Sequence, residues 1–187
     1  MSTVLFWRRT DVIGVERLEF FASRDEVVAE SSLVCVEDGG FRMEHRWRLD
    51  AAWRALRLDV DKWGGAGHQR LTIERAGDRW LVDDEARPDL DGADEPDLSV
   101  TPFCNTLPMR RLPALEAATL TLDTCYVDAA TMTVQRSRQH YERLGPRRVR
   151  YVDLGTSRGF EAVIDIDDDG LVTDYEHLFS RVEPLPS

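Results

Sequence analysis

The 187-residue sequence has a single lysine, an odd number of cysteines and no long hydrophobic run. Lys62 is that lysine, so arginine carries nearly all of the positive charge. The three cysteines include no C-x-x-C spacing, which argues against a disulfide framework and against a structural zinc site. No stretch approaches the length of a membrane span, and the N-terminus shows no apolar signal segment. We therefore expect a cytoplasmic protein without stable membrane association.

Positive charge is scarce overall. Twenty-four Lys and Arg residues stand against 35 Asp and Glu residues, which gives a net charge of −11 and a pI near 4.8. Such a field repels the phosphates of nucleic acids and of anionic bilayers, so we expect no nucleic-acid partner. The length and the 42% apolar content suit one domain over residues 1–187.

Apolar and polar residues alternate along most of the chain. In FRMEHRWRL, residues 41–49, every second side chain from Phe41 to Leu49 is apolar or histidine, and the residues between them are charged. Successive side chains of a strand point to opposite faces, so this segment predicts a half-buried strand. The same pattern recurs to the end of the chain, with tight turns between segments. The sequence therefore predicts a mainly β fold, an antiparallel sheet that curls to bury its apolar face.

One segment, TPFCNTLPMRRL at 101–112, breaks this alternation. Thr101 is a suitable N-cap and Pro102 a suitable first helical residue, while Pro108 predicts a kink or a second turn. Its apolar side chains predict a short central helix packed inside the curled sheet. The acidic segment before it, 87–100, is predicted to lack regular structure.

The stretch DIDDDGLVTDYE, residues 165–176, matches the calcium-binding loop of an EF-hand at every position. Its flanks alternate like strands instead of forming helices, and Asp-Gly is itself a strong hairpin signal. We therefore predict a hairpin here and no metal site. The alternative is a calcium loop.

A second acidic segment, DLDGADEPDL at 89–98, has two readings. Asp91, Asp94 and Asp97 are predicted to form a structural acidic loop that pairs with nearby arginines. The same carboxylates could instead line a cation.

The segment RPDLDGADEPDLSVTPFCNTLPMRRL, residues 87–112, resembles the central signature of the bacterial putative glycolipid-binding family. Further positions resemble that family along almost the whole chain: Trp7, the Gly14-x-Glu16 step, Trp53, Trp80, Gln139-x-Tyr141, Tyr151 and DDGLVTDYEHLFSR at 168–181. Ala93, Cys104 and Glu176 depart from the family pattern. The resemblance implies a spiral β-roll, a sheet wrapped around one helix, and a homodimer that binds a lipid or glycolipid.

Arg110 and Arg111 are adjacent to each other and come after the acidic loop in the sequence. Adjacent helical residues diverge by about 100°, so the two side chains cannot both point at one ligand atom. One is expected to pair with the acidic loop, and the other to bind a phosphate or carboxylate head group. The alternative is that both are structural. Asn105 is a candidate for capping or for ligand binding.

Aromatic residues are the remaining candidates for ligand contacts. Tyr126, Tyr141 and Tyr151 could stack on sugar rings or line an acyl-chain groove, although ordinary sheet packing also explains them. Trp63 lies in DKWGGAGHQ, which reads as a loop, so its indole is expected at a rim or at a dimer contact.

We predict a non-enzymatic carrier or sensor of an amphiphile, with no cofactor, no catalytic residue and no metal site. Arg110 or Arg111, Asn105 and nearby aromatic hydroxyls would bind the polar head. One alternative is a hydrolase that acts on a hydrophobic ester or sugar through Cys104 or the acidic loop. A second alternative is a structural dimer that binds no ligand.

Overall fold

The computed structural model describes residues 2–183, which form two compact units. The first unit comprises residues up to 87 together with those from 179, and the second comprises 88–178. Strands dominate both units, and the described residues contain one α-helix, α1, at Thr106–Arg111. The predicted fold class, mainly β with an antiparallel sheet and one short helix, is confirmed.

The first unit is an antiparallel sheet in which neighbours along the chain are mostly neighbours in space. Its strand order is β8-β7-β6-β5-β4-β3-β2-β1-β15. The strands are β1 Ser2–Arg9, β2 Gly14–Ala22, β3 Glu26–Cys35, β4 Phe41–Asp50, β5 Ala55–Gly64, β6 Gly67–Ala76, β7 Arg79–Val82, β8 Glu85–Ala86 and β15 Phe179–Arg181. A 3-10 turn at Glu37–Gly39 joins β3 to β4.

Strand β4 confirms the predicted alternation residue by residue. Phe41, Met43, His45, Trp47 and Leu49 are buried, and the four residues between them are exposed. The strands beside β4 continue this buried face, because paired residues on neighbouring strands point the same way. The apolar side chains that form it include Leu18, Leu33, Leu58, Val60, Leu71 and Ile73.

A chain of hydrogen bonds interrupts this apolar face and links β2, β3 and β4. The Trp47 indole N–H donates to Nδ1 of His45 (3.0 Å), so that nitrogen must be the acceptor. His45 therefore donates from Nε2 to Oε1 of Glu16 (3.0 Å), which also accepts from the Ser31 hydroxyl (2.7 Å). These bonds tie three strands together beneath the surface.

The second unit contains the other six strands of the sheet, in the order β14-β13-β12-β11-β10-β9. Its strands are β9 Glu95–Leu98, β10 Thr119–Asp128, β11 Thr133–Gly145, β12 Arg148–Asp153, β13 Glu161–Ile166 and β14 Val172–Tyr175. All neighbours are antiparallel except β9, which runs parallel to β10. The prediction that 87–100 lacks regular structure is therefore wrong, since it contains β9 and a 3-10 turn at Pro88–Leu90.

The helical segment begins as the sequence predicts. The Thr101 hydroxyl accepts the N–H of Phe103 (3.2 Å), and Pro102 follows it at the start of a 3-10 turn, Pro102–Asn105, that runs into α1. Pro108 lies in the first turn of α1, where its missing N–H leaves no internal hydrogen bond unmade. Every residue from 101 to 109 is buried.

Residues 165–176 form a hairpin, as predicted, and the turn between β13 and β14 replaces the EF-hand loop. Asp167 Oδ1 accepts the backbone N–H of Asp169 (3.0 Å), which closes the turn. Glu176 Oε2 accepts the N–H of Val163 on the neighbouring strand (2.9 Å). Two of the expected calcium ligands thus serve the backbone of the hairpin.

Gly155 packs directly on β11. A Cβ at this position would overlap the Ser137 hydroxyl and the backbone nitrogen of Arg138. We expect Gly155→Ala to destabilise the protein by about 2 kcal/mol, the usual cost of overpacking, in chemical denaturation. The matched control is Gly65→Ala, where a Cβ meets nothing within 4 Å. Equal stability of the two variants would show that this contact does not hold the 153–157 loop.

Candidate functional site

The candidate site lies between the helical segment and the sheet of the second unit. Strands β9 and β11 direct Asp97, Gln139 and Tyr141 toward the segment, and the 3-10 turn directs Cys104 and Asn105 toward the strands. Four of these side chains are buried, while Asp97 keeps part of its surface accessible to solvent. Elements distant in sequence thus bring five polar side chains together.

These side chains form one continuous chain of hydrogen bonds. Asn105 Nδ2 donates to the Tyr141 hydroxyl (3.1 Å), which donates to Gln139 Oε1 (2.8 Å). Gln139 Nε2 donates to Asp97 Oδ2 (2.5 Å), and the Cys104 thiol donates to Asp97 Oδ1 (3.0 Å). Every bond runs toward the carboxylate of Asp97, which fixes the orientation of each amide and hydroxyl.

A second carboxylate, that of Asp153, lies across the strand pair from Gln139. Its Oδ2 accepts the Tyr151 hydroxyl (3.2 Å), and its Oδ1 accepts the backbone N–H groups of Gly155 (2.7 Å) and Ser157 (3.1 Å). Asp153 is buried with all of these donors in place. The loop after β12 is therefore folded around this carboxylate.

Aromatic rings surround the two carboxylates. Tyr151 lies edge-on to Tyr141 (5.3 Å between ring centroids) and to Tyr175 (5.8 Å), and Phe160 is 6.1 Å from Tyr151. Tyr126 lies beside Asp97 across the β9–β10 pair. All four tyrosines of the chain are thus in this site.

Several ionisable groups of the site have raised pKa values and so favour their protonated forms. Burial raises the pKa of Cys104 and of Tyr141, and the nearby charge of Asp97 raises both further. Burial and the same carboxylate raise the pKa of Tyr126 to about 12. Burial also raises the pKa of Asp97, with repulsion from Asp153 adding to it, while hydrogen bonds from Cys104 and Gln139 oppose the change. The arrangement favours neutral hydrogen-bonding groups over reactive anions.

The two predicted arginines have different surroundings. Arg111 pairs with the buried Glu95 (2.6 Å) and with Asp94 (3.3 Å), which joins the end of α1 to the acidic loop. Burial lowers the pKa of Arg110, and the charges of Asp169 and Asp167 in the β13–β14 turn oppose that effect.

The predicted acidic loop is divided by the structure. Asp97 belongs to the candidate site, whereas Asp94 Oδ2 accepts the backbone N–H of Asp123 (3.2 Å). Asp91 uses its backbone carbonyl to accept from Arg136 (2.8 Å). Among residues 2–183, no group of three or more His, Cys, Asp or Glu side chains is arranged to hold a metal ion.

Trp63 does not lie in a loop, and that expectation is wrong. It lies on β5 in the first unit, stacked on His68 with the ring planes 2° apart and under the guanidinium of Arg42 at 4.1 Å. The glycines after Trp63 misled the loop prediction, because they belong to the hairpin turn between β5 and β6.

Sequence reasoning did not select Gln139, Asp153 or Tyr175 as site residues. Gln139 and Asp153 could have been found from the alternation of side chains along a strand. In Gln139-x-Tyr141 and in Tyr151-x-Asp153, the polar residue lies on the same strand face as a predicted tyrosine. The pairing of β11 with β12 then brings both pairs together.

A concavity of about 700 Å³ lies on the charged face of the first unit. Its charged side chains already pair with one another, as in Arg57 with Asp59 (2.8 Å) and Arg70 with Asp61 (2.7 Å). Such a lining suits neither an alkyl chain nor a charged head group. We therefore place the candidate site in the second unit.

The ion pair between Arg111 and Glu95 is expected to support the site. Arg111→Met removes a guanidinium from a carboxylate whose side chain is only 3% exposed, and we expect a loss of about 2 kcal/mol in the free energy of unfolding. Arg17→Met is the control, because its pair with Glu19 is solvent-exposed, and it should cause no measurable change in chemical denaturation. An equal effect of both variants would contradict this role of Arg111.

The raised tyrosine pKa values predict how stability depends on alkaline pH. Unfolded tyrosines ionise near pH 10, whereas the folded chain keeps their protons. The free energy of unfolding should therefore be unaffected by these groups below pH 10 and should fall above it, by about 1.4 kcal/mol per pH unit for each tyrosine. Tyrosinate absorbance together with circular dichroism tests this, and tyrosinate appearing near pH 10 in a still folded chain would contradict it.

No helix in the described part of the chain has the length and apolar character needed to cross a bilayer. A search of curated proteins found no match. A DUF1089 family protein from Pseudomonas aeruginosa, known from a 1.80 Å crystal structure, is similar: 30% identity and a TM-score of 0.79 over 89% of this chain and 92% of that one. The model of the family described as "Putative glycolipid-binding" matches residues 4–181. The chain therefore belongs to the putative glycolipid-binding family.

Proposed function

We propose that this protein binds a lipid- or glycolipid-like amphiphile without chemically changing it. The polar head would lie at the hydrogen-bonded chain around Asp97, and the alkyl chain between the sheet of the second unit and the helical segment. The family description supports an amphiphilic ligand of this kind. The choice of site rests on the residues themselves.

The observation that carries the proposal is the partial exposure of Asp97 at the end of a buried chain of hydrogen bonds. A ligand hydroxyl can donate to this carboxylate without breaking the chain, because each carboxylate oxygen has more than one acceptor position. Carboxylate, amide and tyrosine groups beside aromatic rings are the usual means of recognising hydroxylated rings. The head group is therefore expected to carry several hydroxyls.

An alkyl chain must find apolar surface, and the helical segment supplies it. Phe103, Leu107 and Met109 are all buried. The segment is short, a 3-10 turn and six α-helical residues, so a small displacement would expose these side chains to a ligand. Each methylene buried there would contribute about 0.8 kcal/mol.

The contacts of Arg111 argue against the phosphate or carboxylate head group that the sequence led us to expect. Arg111 is paired with Glu95 and Asp94, so it does not serve as the binding group for a phosphate. The two carboxylates of the site, Asp97 and Asp153, would also repel an anionic head. A direct role of Arg110 in ligand binding stays a prediction.

The hydrolase alternative is disfavoured by the protonation of the site. A nucleophilic cysteine needs a lowered pKa, whereas burial and Asp97 raise the pKa of Cys104. The thiol instead serves as a hydrogen-bond donor to Asp97. The homodimer and the cytoplasmic location stay predictions.

The first experiment is native mass spectrometry of the freshly purified protein, followed by calorimetric titration with n-alkyl glucosides of increasing chain length. We expect one ligand per chain and a Kd that tightens about fourfold for each added methylene. If no adduct and no binding are found at any chain length, the proposal is wrong. The alternative of a structural dimer that binds no ligand would then be favoured.

Variants locate the head group. Tyr141→Phe removes the hydroxyl between Asn105 and Gln139, so we expect it to weaken glucoside binding about tenfold and to keep the dependence on chain length. Thr121→Val is the matched control, because it removes an exposed hydroxyl from the other face of β10. Equal affinities of both variants and the parent protein would place the head group elsewhere.

A further inference from the structure

We propose that the head group selected by this site carries a protonated amine. The inference rests on the function proposed above and specifies its ligand class. The ligand would be an amphiphile with an ammonium group, either on a sugar head or directly on the alkyl chain. Its basis is a pair of neighbouring carboxylates, those of Asp97 and Asp153, that receive no cationic partner within residues 2–183.

Asp97 and Asp153 receive only neutral hydrogen-bond donors. Asp97 accepts from the Cys104 thiol and the Gln139 amide, and Asp153 accepts from the Tyr151 hydroxyl and two backbone N–H groups. Neither carboxylate forms an ion pair within residues 2–183. Gln139 bonds to Asp97 and pairs across the strands with Asp153, so the two negative charges share one neighbour.

Glu95 provides an internal comparison. It lies two residues before Asp97 on the same face of β9, and it is also buried. Glu95 has a guanidinium at 2.6 Å from Arg111, whereas Asp97 has none. The chain thus supplies a cation to one carboxylate of this strand and leaves the next one for a cation from outside.

The pKa values of two neighbouring tyrosines indicate a negative electrostatic potential at the site. Burial raises the pKa of Tyr175 and Tyr126, and the charges of Asp97 and Asp153 raise both further. Two like charges in a partly buried site repel each other, and a ligand cation between hydrogen-bonded carboxylates relieves that cost. The net charge of −11 adds a general attraction for cations.

The rings favour an organic cation over a metal ion. Tyr151 contacts the rings of Tyr141, Phe160 and Tyr175, and Phe160 also contacts Tyr175, with centroid separations of 5.3 to 6.4 Å. Aromatic faces attract ammonium groups through their quadrupoles, and carboxylates attract them through charge. The described residues offer no group of metal ligands here.

The test is a matched series of octyl glycosides that differ in one group: the glucosaminide with an ammonium, the glucoside with a hydroxyl and the glucuronide with a carboxylate. Octylammonium, which has no sugar, is the fourth ligand. Calorimetry at neutral pH with the full chain should give the glucosaminide a Kd at least about tenfold lower than that of the glucoside, with the glucuronide weakest. Tight octylammonium binding would assign recognition to the amine alone, and weak binding would assign it to the amino sugar.

Two variants test whether Asp97 causes the preference for the glucosaminide over the glucoside. Asp97→Asn should reduce the ratio between glucosaminide and glucoside to about one, while Asp174→Asn, with the same charge change on the exposed side of β14, should preserve it. Equal affinities of the parent protein for these two glycosides would overturn the inference and leave the proposed function standing. Absence of binding to all four ligands would overturn both. The ligand series in the parent protein decides the matter even if Asp97→Asn does not fold.

Discussion

The hydrogen bonds that converge on Asp97 connect the helical segment to the sheet of the second unit. Cys104 and Asn105 enter this chain from the segment, and Gln139 and Tyr141 enter it from β11. A buried polar network is stabilising when every member is satisfied and costly when one is not, so the five side chains depend on one another. The network therefore contributes to holding the segment, with its buried apolar side chains, against the sheet.

The same network determines the protonation of the groups in the candidate site. Its thiol and hydroxyl groups keep their protons, because burial and Asp97 raise the pKa of Cys104, Tyr141 and Tyr126. Protonated groups donate hydrogen bonds and do not attack a substrate. Under the proposed function, these neutral groups would bind the polar head of a ligand at the edge of an apolar interior.

The local structure of the chain was predictable from periodicity. The alternation along β4 and the strand-like flanks of residues 165–176 required only the period of two and knowledge of turn residues. Strand β9 was not predictable in this way, because Glu95–Leu98 is four residues long and contains a proline and two acids, which strands disfavour. Its pairing with β10 comes from tertiary contacts.

Only some residues of the candidate site could be selected from the sequence, and its geometry could not be predicted at all. Asn105, Tyr126, Tyr141 and Tyr151 were selected from sequence, and all four lie in or beside the network. The position of Glu95 in the fold determines that Arg111 forms an ion pair with it. The pairing of β11 with β12 determines which of their residues lie side by side. Neither can be read from a single strand, since a shift of one residue moves every side chain to the other face.

The distribution of aromatic residues allows a direct measurement. All four tyrosines lie in the second unit, at 126, 141, 151 and 175, and all five tryptophans lie in the first, at 7, 47, 53, 63 and 80. Nuclear magnetic resonance of the chain labelled at tyrosine and tryptophan, titrated with an octyl glycoside, separates the two. We predict saturable shifts of the tyrosine ring signals with the tryptophan indole signals unchanged. Shifts of the indole signals alone would contradict the assignment of the binding site.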